Sequence, residues 1–494
     1  MWPMTFQLPP SLPHEVAQQL QWSCLAGGPD NMPWPTDLSR HDGILTLARQ
    51  TEESGHLVAP WPIDGAGQLM GTSATLMTRQ QPYQLIVELA RGKVNQVRCQ
   101  AADWQAGGLA LPADLAQRIR QATLTFGRAV CSANPSETIA LCNQALTEAY
   151  QAAEGLVSVY VAQVFRIRHQ RQDRLALCCR LGSSVLDEKL GPAYVSAFNR
   201  AVLPLSWHQV ESEETVYNWH ESDQLLAWAE ENGLDVSAGP LVDFSSSQLP
   251  AWLWLWEQEI PMIATFMVRF VEAAVRRYRS RIRRWQLTAA SNWAHVLGLS
   301  EDNLMELTYR LVEAARSIDP ALEVVVGVSQ PWGEYMAVAE HTYSPFIFAD
   351  NLIRTGLKLS GLNLELAMGV KGRGSYCRDM LETSGLLDLY ALLGVPLQVT
   401  LSYPASAKID ADCDPEMSAD AGWWRSGYSP DSQAEWASAF AELALCKPFV
   451  HSVKWAHFCD REPHQFPNGG LVDHAGEPRP VLEALRQLRE RHVS

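Results

Sequence analysis

The feature that most restricts the fold of this chain is an alternation running from about residue 183 to the C-terminus. Short strand-like runs recur at 200–205, 234–244, 282–290, 322–329, 362–368, 397–402 and 452–458. Between them lie segments with apolar residues at three- and four-residue spacing, among them DQLLAWAEEN, PMIATFMVRFVEAAVRRY, EDNLMELTYRLVEAARS and QAEWASAFAELALC. Strand, helix, strand at this cadence predicts an α/β fold, a (β/α)8 TIM barrel. The residues just past each strand end of such a barrel face its active-site mouth. At the 282–290 run those residues are Thr288, Ala289, Ala290, Ser291 and Asn292, which supply neither an acid nor a base.

The N-terminal part follows a different rhythm. The stretch 1–110 reads as a β-rich module, with strand-like runs at 72–78 and 85–90, and a carbohydrate-binding role is one reading of it. The stretch 111–182 reads as a helical connector: two amphipathic helices within 113–155, then a strand-and-turn passage at 156–181. The barrel is expected at 183–494, making up the rest of a chain too long for one ordinary domain.

Composition narrows the partners. With 47% hydrophobic and 19% charged residues the chain is globular. A net charge of -16 argues against a nucleic-acid partner, which needs clustered Lys and Arg. The basic run at 276–284 reads as the solvated end of a helix. The first residues lack the basic and apolar regions of a signal peptide, and no apolar run reaches the roughly 18 residues that a membrane helix needs. A cytoplasmic protein without a membrane partner is therefore expected. Ten scattered cysteines without a CxxC pair read as reduced thiols, so neither a metal nor another cofactor is expected. Several of the 18 tryptophans, Trp61, Trp332, Trp423 and Trp424, stand beside Pro, Gly or polar residues. A flat aromatic face there suits the apolar face of a sugar ring, and Trp332 is the strongest such candidate.

The order of short motifs carries more information than any one of them. Phe198-Asn199 precedes Trp207 and Tyr217-Asn218-Trp219; LAWAEENGL follows at 226–234 and LVDF with QLPAW at 241–252. Arg277-Tyr278 leads to Trp285, ARSIDP spans 315–320 and GVPLQVT spans 394–400. Trp455, Asp460, GLVD at 470–473 and GEPRPVL at 476–482 close the series. This order resembles glycoside hydrolase family 10, the xylanase-type family of retaining (β/α)8 enzymes. The resemblance implies a scaffold that cleaves O-glycosidic bonds of poly- or oligosaccharides, a carbohydrate ligand, and sugar contacts at Trp455 and Asp460. It also exposes departures. The family's acid/base glutamate falls on Ala290 and the asparagine before it on Ala289. Its nucleophile falls on Leu401, after Thr400 and before Ser402. Its first-strand pair falls near Pro204-Leu205, and its third-strand Trp-His on Asp243-Phe244. A retaining mechanism needs two carboxylates, one to protonate the leaving oxygen and one to attack.

Two other acids are available. GVSQPWGEY at 327–335 places Gln330, Trp332 and Glu334 on a short loop at the expected mouth. GLNLELAMGV at 361–370 places Glu365 inward among Leu362, Leu364, Leu366 and Met368, where desolvation raises a carboxyl pKa and suits a proton donor. Glu334 and Glu365 on neighbouring strands are the catalytic candidates; the competing reading of Glu365 is a partner for a buried cation. Asp243, Asn292, Gln330, Trp332, Tyr403, Trp455, His457 and Asp460 are the substrate-binding candidates. Lys371, Arg373 and Arg378 in KGRGSYCR read as a solvated loop, with anion binding as the alternative. Asp410, Asp412, Asp414 and Glu416 read as a solvated lid, because they lack the spacing of a calcium loop. Two functions are compatible with all this: a divergent hydrolase with relocated carboxylates, or a catalytically inactive carbohydrate-binding or scaffold barrel.

Overall fold

Eight parallel strands close into a barrel in the computed structural model, which describes residues 1–171, 175–293 and 295–493. They are β1 (Ala176–Arg180), β2 (Arg200–Leu203), β3 (Asp235–Ala238, continued by Val242–Asp243), β4 (Arg284–Ala289), β5 (Glu323–Val328), β6 (Gly361–Ala367), β7 (Leu397–Ser402) and β8 (Val450–Trp455). Each pairs with the next in parallel, and β8 pairs with β1 through Ser452–Ala176 and Trp455–Cys179, which closes the ring. Helices lie between successive strands, so both faces of the sheet are covered. That is why the strands read as nearly unbroken apolar runs, such as Val324-Val325-Val326. The TIM barrel expected from the alternation is the fold.

The barrel starts earlier than 183. Residues 156–171, read above as strand and turn, continue a single helix, Pro135–Arg171, and part of that passage, 172–174, lies outside the described residues. Val157, Val159, Val161 and Val164 give the segment local strand character. Its helix is fixed by tertiary burial of Leu156, Val157, Val161 and Phe165, spaced for one helical face. β1 then follows at once. Cys178 and Cys179 point to opposite sides of it and both are buried, because both sides are covered.

Residues 1–84 form two small, largely antiparallel sheets. The run at 85–90, expected as strand, opens a helix, Leu85–Ala106. This helix, Ala113–Cys131 and Pro135–Arg171 pack together, and the last also meets the barrel helices Met380–Ala391 and Pro430–Cys446. The N-terminal layer is welded to the barrel mouth. Trp423–Trp424, from the segment after β7, adds a strand to the N-terminal sheet by pairing with Gln68 and Gly67. The amide of Met70 donates to the Cys377 carbonyl (2.8 Å). Lys93 forms a buried ion pair with Asp379, which caps Met380–Ala391 by accepting from the amides of Leu381 and Glu382 (2.8 and 2.9 Å). Among the described residues no helix is long and apolar enough to cross a membrane.

Helix Leu85–Ala106 reaches its sheet through one glycine. A β-carbon at Gly92 would lie 2.0 Å from the Thr72 carbonyl oxygen, a backbone atom with no rotamer to escape into. Gly92→Ala, ordinarily a helix-stabilising change, should instead destabilise the protein by about 1–3 kcal/mol through overpacking. A lowered midpoint in a denaturant titration with an unchanged slope checks this.

Candidate functional site

The centre of the barrel mouth is occupied by an arginine. Arg373, on the loop after β6, is 1% exposed. Its Nη1 donates to both oxygens of Asp243 at the end of β3 (2.8 and 2.9 Å). Its Nε and Nη2 donate to the two oxygens of Glu365 on β6 (2.9 and 3.1 Å), and Nε also reaches Ser329 Oγ after β5 (3.2 Å). The loop can aim this side chain inward because of its flanking glycines. Gly372 has φ 95°, and a β-carbon on Gly374 would lie 2.5 Å from the Val370 carbonyl oxygen. The expected solvated loop at 371–378 is therefore an error in the case of Arg373 and Arg378, both buried in ion pairs; Lys371 alone stays exposed.

The two acids respond differently to the shared cation. Burial raises the Glu365 carboxyl, and the attraction of Arg373 offsets this only in part. Burial acts on Asp243 in the same direction, but Arg373 together with the Ser245 hydroxyl and amide outweighs it and holds that carboxyl low. Lys454 on β8 donates to Gln286 Oε1 (2.9 Å), and burial next to Arg180 pushes it down to about 8.

Glu334 belongs to a different network. It forms an ion pair with Arg378 and accepts from the Tyr376 amide (3.0 Å). The two acids expected to face one ligand are thus held in separate networks, Glu365 by Arg373, which it shares with Asp243, and Glu334 by Arg378.

Two cavities open at this end of the barrel. The smaller, 250 Å³, lies over the ends of β1, β2 and β8 and is polar, lined by Arg180, Ser206, His208, His457 and His464 among others. The larger, 590 Å³, lies between the N-terminal sheets and the loops after β5 and β6. Trp22, Trp293, Trp332 and Tyr335 contribute aromatic surface to it, and Glu334, Lys371 and Arg378 contribute charge. The Arg378 guanidinium sits 4.5 Å from the centre of the Trp332 ring. Three donors of residues lining this cleft, Trp22 Nε1, Ser23 Oγ and Trp293 Nε1, are buried and have no hydrogen-bond partner among the described residues.

The remaining sequence candidates divide. Gln330 and Trp332 line the larger cleft. The Asn292 amide exchanges hydrogen bonds with the Ser329 backbone (2.9 and 3.0 Å) and ties β4 to β5. Tyr403 and Trp455 are core residues. Tyr403 stacks on Trp436, and Trp455 donates to the Gly469 carbonyl (2.9 Å). Asp460 is fully buried between His457 and Arg479 (2.8 and 2.6 Å), so it contacts protein and not solvent. The acidic run is likewise no solvated lid throughout, since Asp410 and Asp414 are buried. Sequence reasoning missed Trp22 and His56, which lie far from the motifs in the chain, and Trp293, which directly follows the candidate Asn292; the N-terminal layer brings the first two to the same cleft as the third.

Comparison with known proteins agrees with the barrel and stops short of its chemistry. The glycosyl hydrolase family 10 model matches residues 183–289, ending one residue before Ala290, where the resemblance places the acid/base glutamate. The comparison with curated protein sequences found no match. Among solved structures, native xylanase 10B from Thermotoga maritima aligns at TM-score 0.48 with 17% identity, over 68% of this chain and 98% of that one. Xylanase B from Clostridium stercorarium F9 aligns at TM-score 0.47 with 16% identity, over 66% and 98%. The chain thus carries a barrel like that of glycoside hydrolase family 10, highly divergent in sequence.

Two measurements check this site. Removing the shared cation leaves two buried carboxylates uncompensated, so Arg373→Met should cost about 3–5 kcal/mol, and adding Asp243→Asn and Glu365→Gln should restore a large part of it. Chemical denaturation of the single and triple variants reads this directly. His56, on the wall of the larger cleft, is pushed down to about 4 by burial. An unfolded histidine titrates near 6.5, so between those values the unfolded chain binds the extra proton. The contribution is present above about pH 6.5 and is lost as pH falls toward 4, amounting to about 3 kcal/mol. A His56→Gln variant should show a shallower loss of stability over that window.

Proposed function

We propose that this protein is a carbohydrate-binding barrel in which an arginine-centred ion network stands in place of hydrolytic chemistry, and that it holds an oligosaccharide in the 590 Å³ cleft. Its volume falls within the range of small-ligand sites, and its mixture of aromatic faces and a few charged groups suits a sugar. The observation that carries the reading is the aromatic lining of the cleft, Trp22, Trp293, Trp332 and Tyr335, set beside Glu334, Lys371 and Arg378. The apolar face of a sugar would lie on Trp332 or Trp293, and the charged groups would meet its hydroxyls. Against hydrolysis by the family's own pair stand Ala290 after β4 and Leu401 in β7.

The competing reading is a hydrolase with relocated carboxylates. It is favoured by the opposite displacements of Asp243 and Glu365, the pattern of an acid and a base working together. It requires Arg373 to withdraw when substrate enters.

The readings separate in one experiment. Binding of xylo-, cello- and other oligosaccharides is followed by calorimetry and tryptophan fluorescence, alongside release of 4-nitrophenol from aryl glycosides. Binding without turnover is expected, with affinity at least tenfold weaker in Trp332→Ala, about 1.4 kcal/mol. Turnover that disappears in Glu365→Gln would establish the hydrolase reading, and failure of every sugar to bind would remove both.

A further inference from the structure

The loops after β7 and β8 bring a second group of chemistry-bearing residues together, separate from the large cleft. His457, Asp460, His464 and His474 come from one loop, Asp410 and Asp412 from the other. His457, Asp460 and His464 each offer a ligand atom within 4.8 Å of the others, and so do Asp410, Asp460 and His474. We propose that Asp410, Asp460 and His464, completed by His457 and His474, form a site for a divalent transition metal of the zinc type.

The first argument is the state of His464. Its Nδ1 lies 2.8 Å from the Glu462 carbonyl oxygen, a group that only accepts, so Nδ1 carries the hydrogen. Its Nε2 then turns toward Asp410 Oδ2 (3.0 Å) and Asp460 Oδ1 (3.8 Å). Nε2 is therefore the ring atom that two carboxylate oxygens share. A backbone carbonyl fixing Nδ1–H while Nε2 faces acidic oxygens is the usual setting of a metal-bound histidine.

The second argument is charge. The side chains of Asp410 and Asp460 have no exposed surface. Arg479 neutralises Asp460 Oδ2 (2.6 Å), while Oδ1 accepts from the Gly470 amide (2.7 Å) and faces His457 and His464. Asp410 meets no Lys or Arg in any described ion pair; its Oδ2 accepts from the Asn468 amide (2.7 Å) and faces His464, and its Oδ1 accepts from the Asp412 amide (3.2 Å) and faces His474 Nε2 (3.4 Å). Buried carboxylates are paired or coordinate metals.

The third argument is spacing. Metal bonds of about 2.0–2.1 Å in a tetrahedron put neighbouring ligand atoms about 3.3–3.5 Å apart. Four of the contacts among these residues, at 2.8, 3.0, 3.4 and 3.8 Å, lie near that value, and each triad of ligand atoms stays within 4.8 Å. Nitrogen and carboxylate donors in this mixture suit zinc and its first-row neighbours. The ion would pin the loop after β7 to the loop after β8 beside the polar cavity that His457 and His464 line. The spacing H-x2-D-x3-H at 457–464 is the sequence signal for it.

The test uses the full chain, stripped with a chelator and titrated with ZnCl2 and CoCl2. One equivalent of zinc is expected to bind and raise the melting temperature, and cobalt to give the visible absorption of a low-coordinate nitrogen–oxygen site. His464→Gln and Asp410→Asn should weaken zinc at least tenfold. His474→Ala, at a partly exposed position that folding tolerates, should weaken it several-fold and keeps the test decisive if the buried variants misfold. Absence of stoichiometric uptake by the wild type, or uptake unchanged in His474→Ala and Asp410→Asn, would overturn the site and leave His464 as an imidazolium between two carboxylates.

Discussion

The structure at the barrel mouth depends on one guanidinium. Arg373 joins β3, β5 and β6 through Asp243, Ser329 and Glu365, and its burial is complete. Two buried carboxylates without it would be untenable, and the arginine without them equally so. Such a network adds little net stability over an apolar filling of the same volume, but it is demanding in geometry. Its consequence is positional. Three strand ends are held in register around a planar fork, and the space over the centre of the barrel is taken by protein.

That occupancy moves the candidate ligand site sideways. With the centre filled, the larger of the two cavities described at this end lies between the loops after β5 and β6 and the N-terminal sheets. The N-terminal layer therefore acts as one wall of a cleft. The pairing of Trp423–Trp424 with the N-terminal sheet and the buried Lys93–Asp379 ion pair hold that wall in place. The same loop after β6 supplies Arg373 to the centre and Arg378 to the cleft, so the filled mouth and the open cleft are two products of one segment.

Several parts of this arrangement were legible in the chain. The alternation gave seven of the eight strands, because parallel strands buried on both faces leave unbroken apolar runs. Trp332 stood out by its polar surroundings, and it does line the cleft. Trp455 and Tyr403, expected as sugar contacts, lie buried in the core. An aromatic residue at a strand end is written the same way whether its ring turns to the mouth or into the helix layer, and here both turn inward. β1 was hidden by the β-branched end of the helix before it, where local propensity and tertiary burial disagree. KGRGSYCR looked solvated because charge usually is, yet two of its cations are buried.

What the sequence alone determined is local: the period of its strands and helices, hence the barrel, and the presence of Ala290 and Leu401, which carry no acid. Tertiary structure decided the rest. It chose Arg373 to bridge Glu365, eight residues earlier, and Asp243, 130 residues earlier in the chain. It also brought Trp22 and His56 to the same cleft as Trp293 and Trp332. Contacts over such separations are set by which surfaces close on one another when the core forms. No pattern within a single segment records them.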